Sequence, residues 1–146
     1  VPGAGLTVGS IPAGVKRITA ALKGVSNSNT TSILLRLGTA GGLVTTGYVG
    51  NGARQTHSST SFVASETIGI SIATTAASDT VYGVAEFFLV DVATNLWMCN
   101  FQGMAASGVL LNTFGMIALS GPVTQLAVVP YSGSIDAGTV SVAWEF

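Results

Sequence analysis

The side chains suited to chemistry are few in this sequence: six carboxylates, one histidine and one cysteine. Nucleophilic catalysis requires a Ser, Cys or Thr activated by a base, and His57 is the single imidazole that could act as one. It lies in the polar segment 56–60, and no serine of the chain stands in a Gly-x-Ser-x-Gly turn. We therefore interpret His57 as an exposed loop residue rather than a catalytic base.

The carboxylates form no favoured pair for general acid–base work. Glycoside hydrolysis needs two carboxyl groups on either side of one bond. Glu86 and Asp91 are an odd number of positions apart on one predicted strand, which places them on opposite faces. Asp79 and Asp136 stand in turn-like segments, where Asp commonly bonds the local backbone. We predict no catalytic residues; the alternative is a hydrolase whose site, with Glu86, Asp91 or Asp136, is shared between chains.

Cofactor and metal sites are equally unsupported. A lone Cys99 and a lone histidine exclude zinc sites built on several cysteines or on a His-Glu-x-x-His helix. The Gly-rich segments 38–42 and 47–52 are not followed by Gly-Lys-Ser/Thr, so we predict turns rather than phosphate-binding loops. The expectation is no cofactor and no metal, with Cys99 as a small buried apolar residue.

Sugar recognition is harder to dismiss, because it needs an aromatic face and a few polar side chains but no charge. Residues of those types lie together in one region predicted to be loop: Tyr48, Asn51, Arg54 and His57. We predict that these four contact a ligand or receptor.

Almost every segment of the chain alternates apolar and polar residues with a period of two, which is typical of strands. The clearest alternations are 17–23, 33–37, 67–73 and 139–146; further candidate strands are 43–48, 81–92, 96–101, 107–111, 114–119 and 124–130. Turn residues such as Asn51-Gly52 separate them at short intervals. The pattern predicts an all-β fold, an antiparallel jelly-roll-like β-sandwich of about 8–10 short strands. Residues 13–146 form this single domain, and 1–12 form an N-terminal arm or a connection to an upstream shaft.

Charge is scarce over the whole chain. Of 146 residues, 8% are charged, against about 25% in an ordinary soluble domain, and the net charge is −1. Five basic residues give no electrostatic footprint for nucleic acid, and a 48% hydrophobic composition is unlike a disordered chain. No run of 18 apolar residues occurs, so we expect no transmembrane helix. Several candidate strands are shorter than the about 9–11 residues of a membrane-spanning strand, so we expect no membrane insertion.

The segment 81–92 is apolar on both of its faces. One face carries Val81, Gly83, Ala85, Phe87 and Leu89, and the other carries Tyr82, Val84, Phe88, Val90 and Val92 with Glu86 as its one charge. In a two-layer sandwich the second face must be covered as well. Because obligate interfaces are depleted of charge, we predict that Tyr82, Val84, Phe88 and Val90 contact a neighbouring chain.

An ordered set of segments resembles a domain of tailed-bacteriophage virion proteins. The segments are IPAGVKRIT (11–19), LKGVS (22–26), LLRLG (34–38), TTGY (45–48), FLVDVATNLW (88–97), LSG (119–121) and SIDAGTVSV (134–142). They run in the order of that family from residue 11 to the end of the chain. The sequence departs from it at 124–129, which lacks the family's arginine, and over 98–118.

The resemblance implies an all-β domain of the tail-fibre or receptor-binding type, at the C-terminus of its protein, assembled as a homotrimer on the virion. Its partners would be other virion proteins and a host surface glycan, with no enzymatic activity. A receptor site would use the divergent loops 50–60 and 102–107. The alternative function is a capsid decoration or head-fibre protein that stabilises the particle.

Overall fold

Two antiparallel β-sheets make up the fold in the computed structural model, which describes residues 5–63 and 67–146. The strands are β1 (Leu6–Val8), β2 (Arg17–Asn27), β3 (Ile33–Thr39), β4 (Gly42–Leu43), β5 (Val49–Gln55), β6 (Thr60–Val63), β7 (Ile70–Ile72), β8 (Val81–Asp91), β9 (Leu96–Ala105), β10 (Leu110–Ala118), β11 (Gln125–Pro130) and β12 (Ile135–Glu145). The described residues contain no helix. The all-β expectation is confirmed, with twelve strands in place of 8–10.

The two sheets differ in size. In the five-stranded sheet the order is β1-β11-β3-β4, with β7 also paired to β3, and in the seven-stranded sheet it is β12-β2-β8-β9-β10-β5-β6. The core lies between them, because successive residues of a strand point to opposite sides. Val81, Ala85 and Phe87 of β8 are fully buried, as are Leu35 and Leu37 of β3. The sheets therefore pack face to face as a sandwich.

A pair of glycines makes room for the ring of Phe101 in this core. Gly83 and Gly103 face each other across β8 and β9. A Cβ atom placed on either glycine would lie 2.7 Å from Cζ of Phe101, which is itself fully buried. The ring occupies the space that two side chains would otherwise fill.

The outer side of the five-stranded sheet is closed by the chain itself. Leu34, Ala127 and Val129 point to that side and are buried, with Leu43 and Ile68 packed on them. The guanidinium of Arg36 donates a hydrogen bond from Nε to the carbonyl of Ile68 at 2.6 Å, which ties the covering segment to β3. Both faces of this sheet are thus covered at its centre.

Several boundaries differ from the sequence-based expectations. Where it is described, the predicted arm belongs to the sandwich: Leu6–Val8 pairs with β11 and Ile11 is buried, while residues 1–4 lie outside the described part. The predicted turn Asn51-Gly52 lies inside β5. Gly52 is buried there against the backbone of Ser71, and a Cβ on Gly52 would lie 2.7 Å from the carbonyl oxygen of Ser71. The two strands expected at 107–111 and 114–119 are the single strand β10.

Replacing Gly83 with alanine tests the glycine pair. The added methyl meets both Phe101 and the backbone oxygen of Gln102, so we expect Gly83→Ala to lower the free energy of unfolding by about 1–3 kcal/mol. Urea unfolding followed by tryptophan fluorescence measures it. Gly121→Ala is the matched control, since no atom lies within 4 Å of a Cβ there. Equal stability of the two variants would contradict this account of the core.

Candidate functional site

The seven-stranded sheet has an extended apolar surface on the side away from the core, which we call the outer face. It consists of the outward-pointing residues of β2, β8, β9, β10, β5 and β12. Nine of these are large apolar residues that are 39–59% exposed: Val49, Tyr82, Val84, Phe88, Val90, Met104, Leu110, Phe114 and Met116. The four residues predicted to contact another chain, Tyr82, Val84, Phe88 and Val90, all lie on it. Their contact with a partner stays a prediction.

Strand register arranges much of the outer face in rows that run across the sheet. One apolar row crosses four strands and a second crosses three: Phe88, Met98, Met116 and Val49 form the first, and Tyr82, Met104 and Leu110 the second. Met98, Met104, Leu110, Phe114 and Met116 lie in the part of the sequence that predicted only short strands. The missed signal was the alternation along two unbroken strands, with Met98 and Met104 on β9 and Leu110, Phe114 and Met116 on β10.

Between the two rows lies a group of four polar side chains, which we call the polar centre: Glu86, Asn100, Gln102 and Asn112. Glu86 is paired with Asn100 across β8 and β9, and Gln102 with Asn112 across β9 and β10. A depression of about 190 Å³ is lined by Val84, Glu86, Asn100 and Gln102. The Oδ1 atom of Asn100 is buried and has no hydrogen-bond partner among the described residues. The polar centre therefore has unused hydrogen-bonding capacity.

One ion pair borders the polar centre. The guanidinium of Arg17 donates from Nη2 to Oε1 of Glu86 at 2.7 Å. The hydrogen bond and charge of Glu86, with the charge of Glu145, raise the pKa of Arg17. Because both side chains are more than a third exposed, the pair contributes little to stability. Its effect is to orient the Glu86 carboxylate on the outer face.

The four residues predicted to contact a receptor are not brought together. Asn51 is exposed on the outer face beside Phe114, and His57 is exposed in the turn between β5 and β6. Tyr48 and Arg54 point inward instead, so the prediction that they form part of a surface site is wrong. The segment 50–60 is a hairpin rather than a loop, and β9 continues to Ala105, which leaves only a short turn of the predicted 102–107 loop.

Tyr48 is a buried structural residue, only 1% exposed. Its hydroxyl accepts a hydrogen bond from the backbone N–H of Leu37 at 3.0 Å and lies 2.9 Å from the carbonyl of Val44, to which it donates. Burial raises the pKa of Tyr48 to about 12. The side chain thus fastens the segment after β4 to the end of β3, and it offers no surface to a ligand.

Arg54 is also committed to the fold. Its Nη1 lies 2.9 Å from Oδ2 of Asp79, and the two side chains are 20% and 4% exposed. The same carboxylate oxygen accepts the backbone N–H groups of Thr75 and Ala76. This arrangement holds the turn before β8 against β5.

The remaining candidate carboxylates serve turns. Asp91 accepts the N–H of Ala93 at 2.9 Å and the hydroxyl of Thr94 at 2.7 Å, and these hydrogen bonds lower the pKa of Asp91. Asp136 accepts the hydroxyl of Ser26. Asp91 thus stabilises the β8–β9 hairpin, and Asp136 stabilises the irregular pairing at the start of β12 with β2.

Other chemistry-bearing groups add no site within the described residues. Cys99 is buried, which raises the pKa of its thiol, so the predicted role as a small apolar residue is confirmed. No group of three or more His, Cys, Asp or Glu side chains is placed to hold a metal ion in 5–63 and 67–146. In the same ranges no helix is long and apolar enough to cross a membrane. Glu66, one of the six carboxylates, lies outside the described residues.

Comparison of the chain with known protein families, with curated proteins and with solved structures finds no significant match. What the chain does must therefore be inferred from its own residues. Among the described residues, the outer face joins exposed apolar area to unpaired polar groups, and it is the candidate functional surface.

The buried hydroxyl of Tyr48 predicts a loss of stability at alkaline pH. Its pKa is raised from 10.0 to about 12, so the folded chain keeps a proton that the unfolded chain releases. The stabilisation is complete below pH 10 and is lost as the pH rises towards 12, by about 2–3 kcal/mol. Urea unfolding at a series of pH values measures this slope.

Two conservative variants isolate this effect. We expect Tyr48→Phe to unfold at lower urea and to lose part of the alkaline slope, because the titrating hydroxyl is gone. Tyr131→Phe, at an exposed position, should keep the slope of the unmodified chain. Identical slopes in both variants would show that Tyr48 is not the group responsible.

Proposed function

We propose that this chain is a non-enzymatic structural protein of a bacteriophage particle, the tip or receptor-binding domain of a tail fibre. In this proposal the sandwich is jelly-roll-like, assembles as a homotrimer and contacts the host surface, with other virion proteins as its further partners. The ordered resemblance of segments over residues 11–146 supports the family, and the two antiparallel sheets agree with the fold that it implies.

The outer face is the observation that carries the proposal. A free monomer rarely exposes this many large apolar side chains on one sheet face, whereas a subunit of a permanent assembly does. Tyr82, Val84, Phe88 and Val90 lie there with 39–51% of their area exposed. A particle protein is held to identical neighbours for its whole working life, which accounts for a sheet face with so many exposed apolar side chains.

The candidate carboxylates are already hydrogen-bonded or ion-paired within the chain, which supports a structural role over a hydrolytic one. Asp79, Asp91 and Asp136 each accept hydrogen bonds from their own turn or its neighbour, and Glu86 is paired with Arg17. A general acid or nucleophile needs a carboxyl group that is free to meet substrate. We assign host contact instead to the β5–β6 turn, where His57 is exposed between the hydroxyl side chains of Thr56 and Ser58.

Immunogold electron microscopy with antibody raised against the purified chain tests the location. We expect label at the distal end of the tail of particles produced by the strain that encodes the chain. Label distributed over the capsid would replace the fibre assignment with the decoration or head-fibre function. Particles that carry no label, in a preparation whose cell lysate does, would overturn both.

Binding to the host surface tests the receptor role. We expect the purified assembly to bind host cells or their surface polysaccharide, and His57→Ala to weaken that binding by about tenfold, or about 1.4 kcal/mol. Ser120→Ala, an exposed change between β10 and β11 and outside both predicted receptor loops, is the control and should bind as the unmodified chain does. No binding by the unmodified assembly would exclude the receptor role, and equal binding by His57→Ala would move it away from the β5–β6 turn.

A further inference from the structure

Among the described strands, β3 and β8 are each apolar on both faces, but only β3 is covered on both. On β3, the outward Leu34 is fully buried beneath Leu43 and Ile68. On β8, the outward Val84 and Phe88 are 41% and 39% exposed. The chain thus covers the outer side of one sheet and leaves the outer side of the other exposed, although β3 and β8 both carry apolar residues on that side.

The open area matches what a stable interface requires. If each half-exposed side chain contributes roughly 80 Å², the nine apolar residues of the outer face expose on the order of 700 Å². A standard interface buries about 800 Å² on each partner, and the largest apolar patch of a typical monomer is about 300–600 Å². The outer face is large enough to be the main contact of an assembly.

The charges of the outer face suit a second copy of the same chain. Two cations, Arg17 and Lys23, and two anions, Glu86 and Glu145, lie on it in the described residues, and a third anion, Asp91, stands at its edge beside Leu96. Opposite charges nearly balance, with a sum of −1, so identical faces meet with little net repulsion. A polyanionic or strongly basic partner would find no complementary field there.

The polar centre points to the same partner. Among the described residues, Oδ1 of Asn100 is out of contact with solvent and has no hydrogen-bond partner, and the amides of Gln102 and Asn112 stand at paired positions of β9 and β10 beside it. Covering such groups without partners is costly. Each primary amide both donates and accepts, so an identical amide on another copy satisfies it.

We propose that the outer face is the interface between copies of this chain, with the amides of Asn100, Gln102 and Asn112 hydrogen-bonded between copies at its centre. This inference deepens the homotypic assembly of the proposed function and rests on it. The apolar rows provide the affinity, and the polar centre fixes the register and the number of copies, as a single buried Asn does in coiled coils. Any shift of one copy along the other leaves amides covered by methionine or phenylalanine.

Matched charge substitutions test the surface. We expect Val84→Asp to give a monomer at concentrations where the unmodified chain is a single oligomer, by light scattering after size exclusion and by native mass spectrometry. Val92→Asp, at a 69% exposed position in the β8–β9 turn, should leave the oligomer intact. Circular dichroism establishes that both variants are folded. An oligomeric Val84→Asp variant, or a monomeric unmodified chain, would overturn the interface.

An apolar substitution tests the register. We expect Asn100→Leu to remain associated but to give a mixture of oligomeric states where the unmodified chain gives one, with several sets of amide resonances in place of one. A single species identical to that of the unmodified chain would show that Asn100 does not set the register. These outcomes are independent of where the protein lies in the particle. Immunogold labelling tests the fibre assignment, and its result does not depend on which surface forms the interface.

Discussion

In an antiparallel sandwich each sheet buries one face in the shared core, and its second face must either meet water with polar side chains or be covered. The five-stranded sheet satisfies this requirement within the chain, because Leu43 and Ile68 close over Leu34 and Arg36 holds the cover in place. The seven-stranded sheet does not satisfy it, since its second face is apolar and open. The low charge of the chain and the proposed assembly both depend on this difference between the two sheets.

Alternation along the sequence was sufficient to predict the fold class and the two-faced character of β8, because period-two patterns report directly on which residues share a face. It failed at β5. Asn51-Gly52 has the composition of a turn, but here both residues lie in a strand. The strand position is a glycine because the backbone of Ser71 passes too close for a side chain. Contacts between segments distant in sequence decide such positions, and local composition carries no record of them.

The same limit explains the candidate site. Tyr48, Asn51, Arg54 and His57 are close in sequence, but they point in different directions once the hairpin forms. The hydroxyl of Tyr48 bonds the backbone of Leu37 in β3 as well as that of the nearby Val44, and Arg54 bonds Asp79, which lies 25 positions along the chain. The polar centre shows the converse case, since Glu86, Asn100 and Asn112 are far apart in the chain and become neighbours only through the register of β8, β9 and β10. Proximity in the sequence therefore suggested a receptor surface that the fold does not form, and gave no indication of the polar centre.

The charge and composition of the outer face determine which conditions dissociate an assembly built on it. Association driven by apolar area has a negative change in heat capacity and weakens on cooling, whereas contacts between opposite charges weaken as ionic strength rises. A face whose charges nearly balance and that exposes Phe114 and three methionines belongs to the first kind. Such an assembly tolerates wide changes in the salt of its surroundings, and low temperature rather than salt is the condition that loosens it.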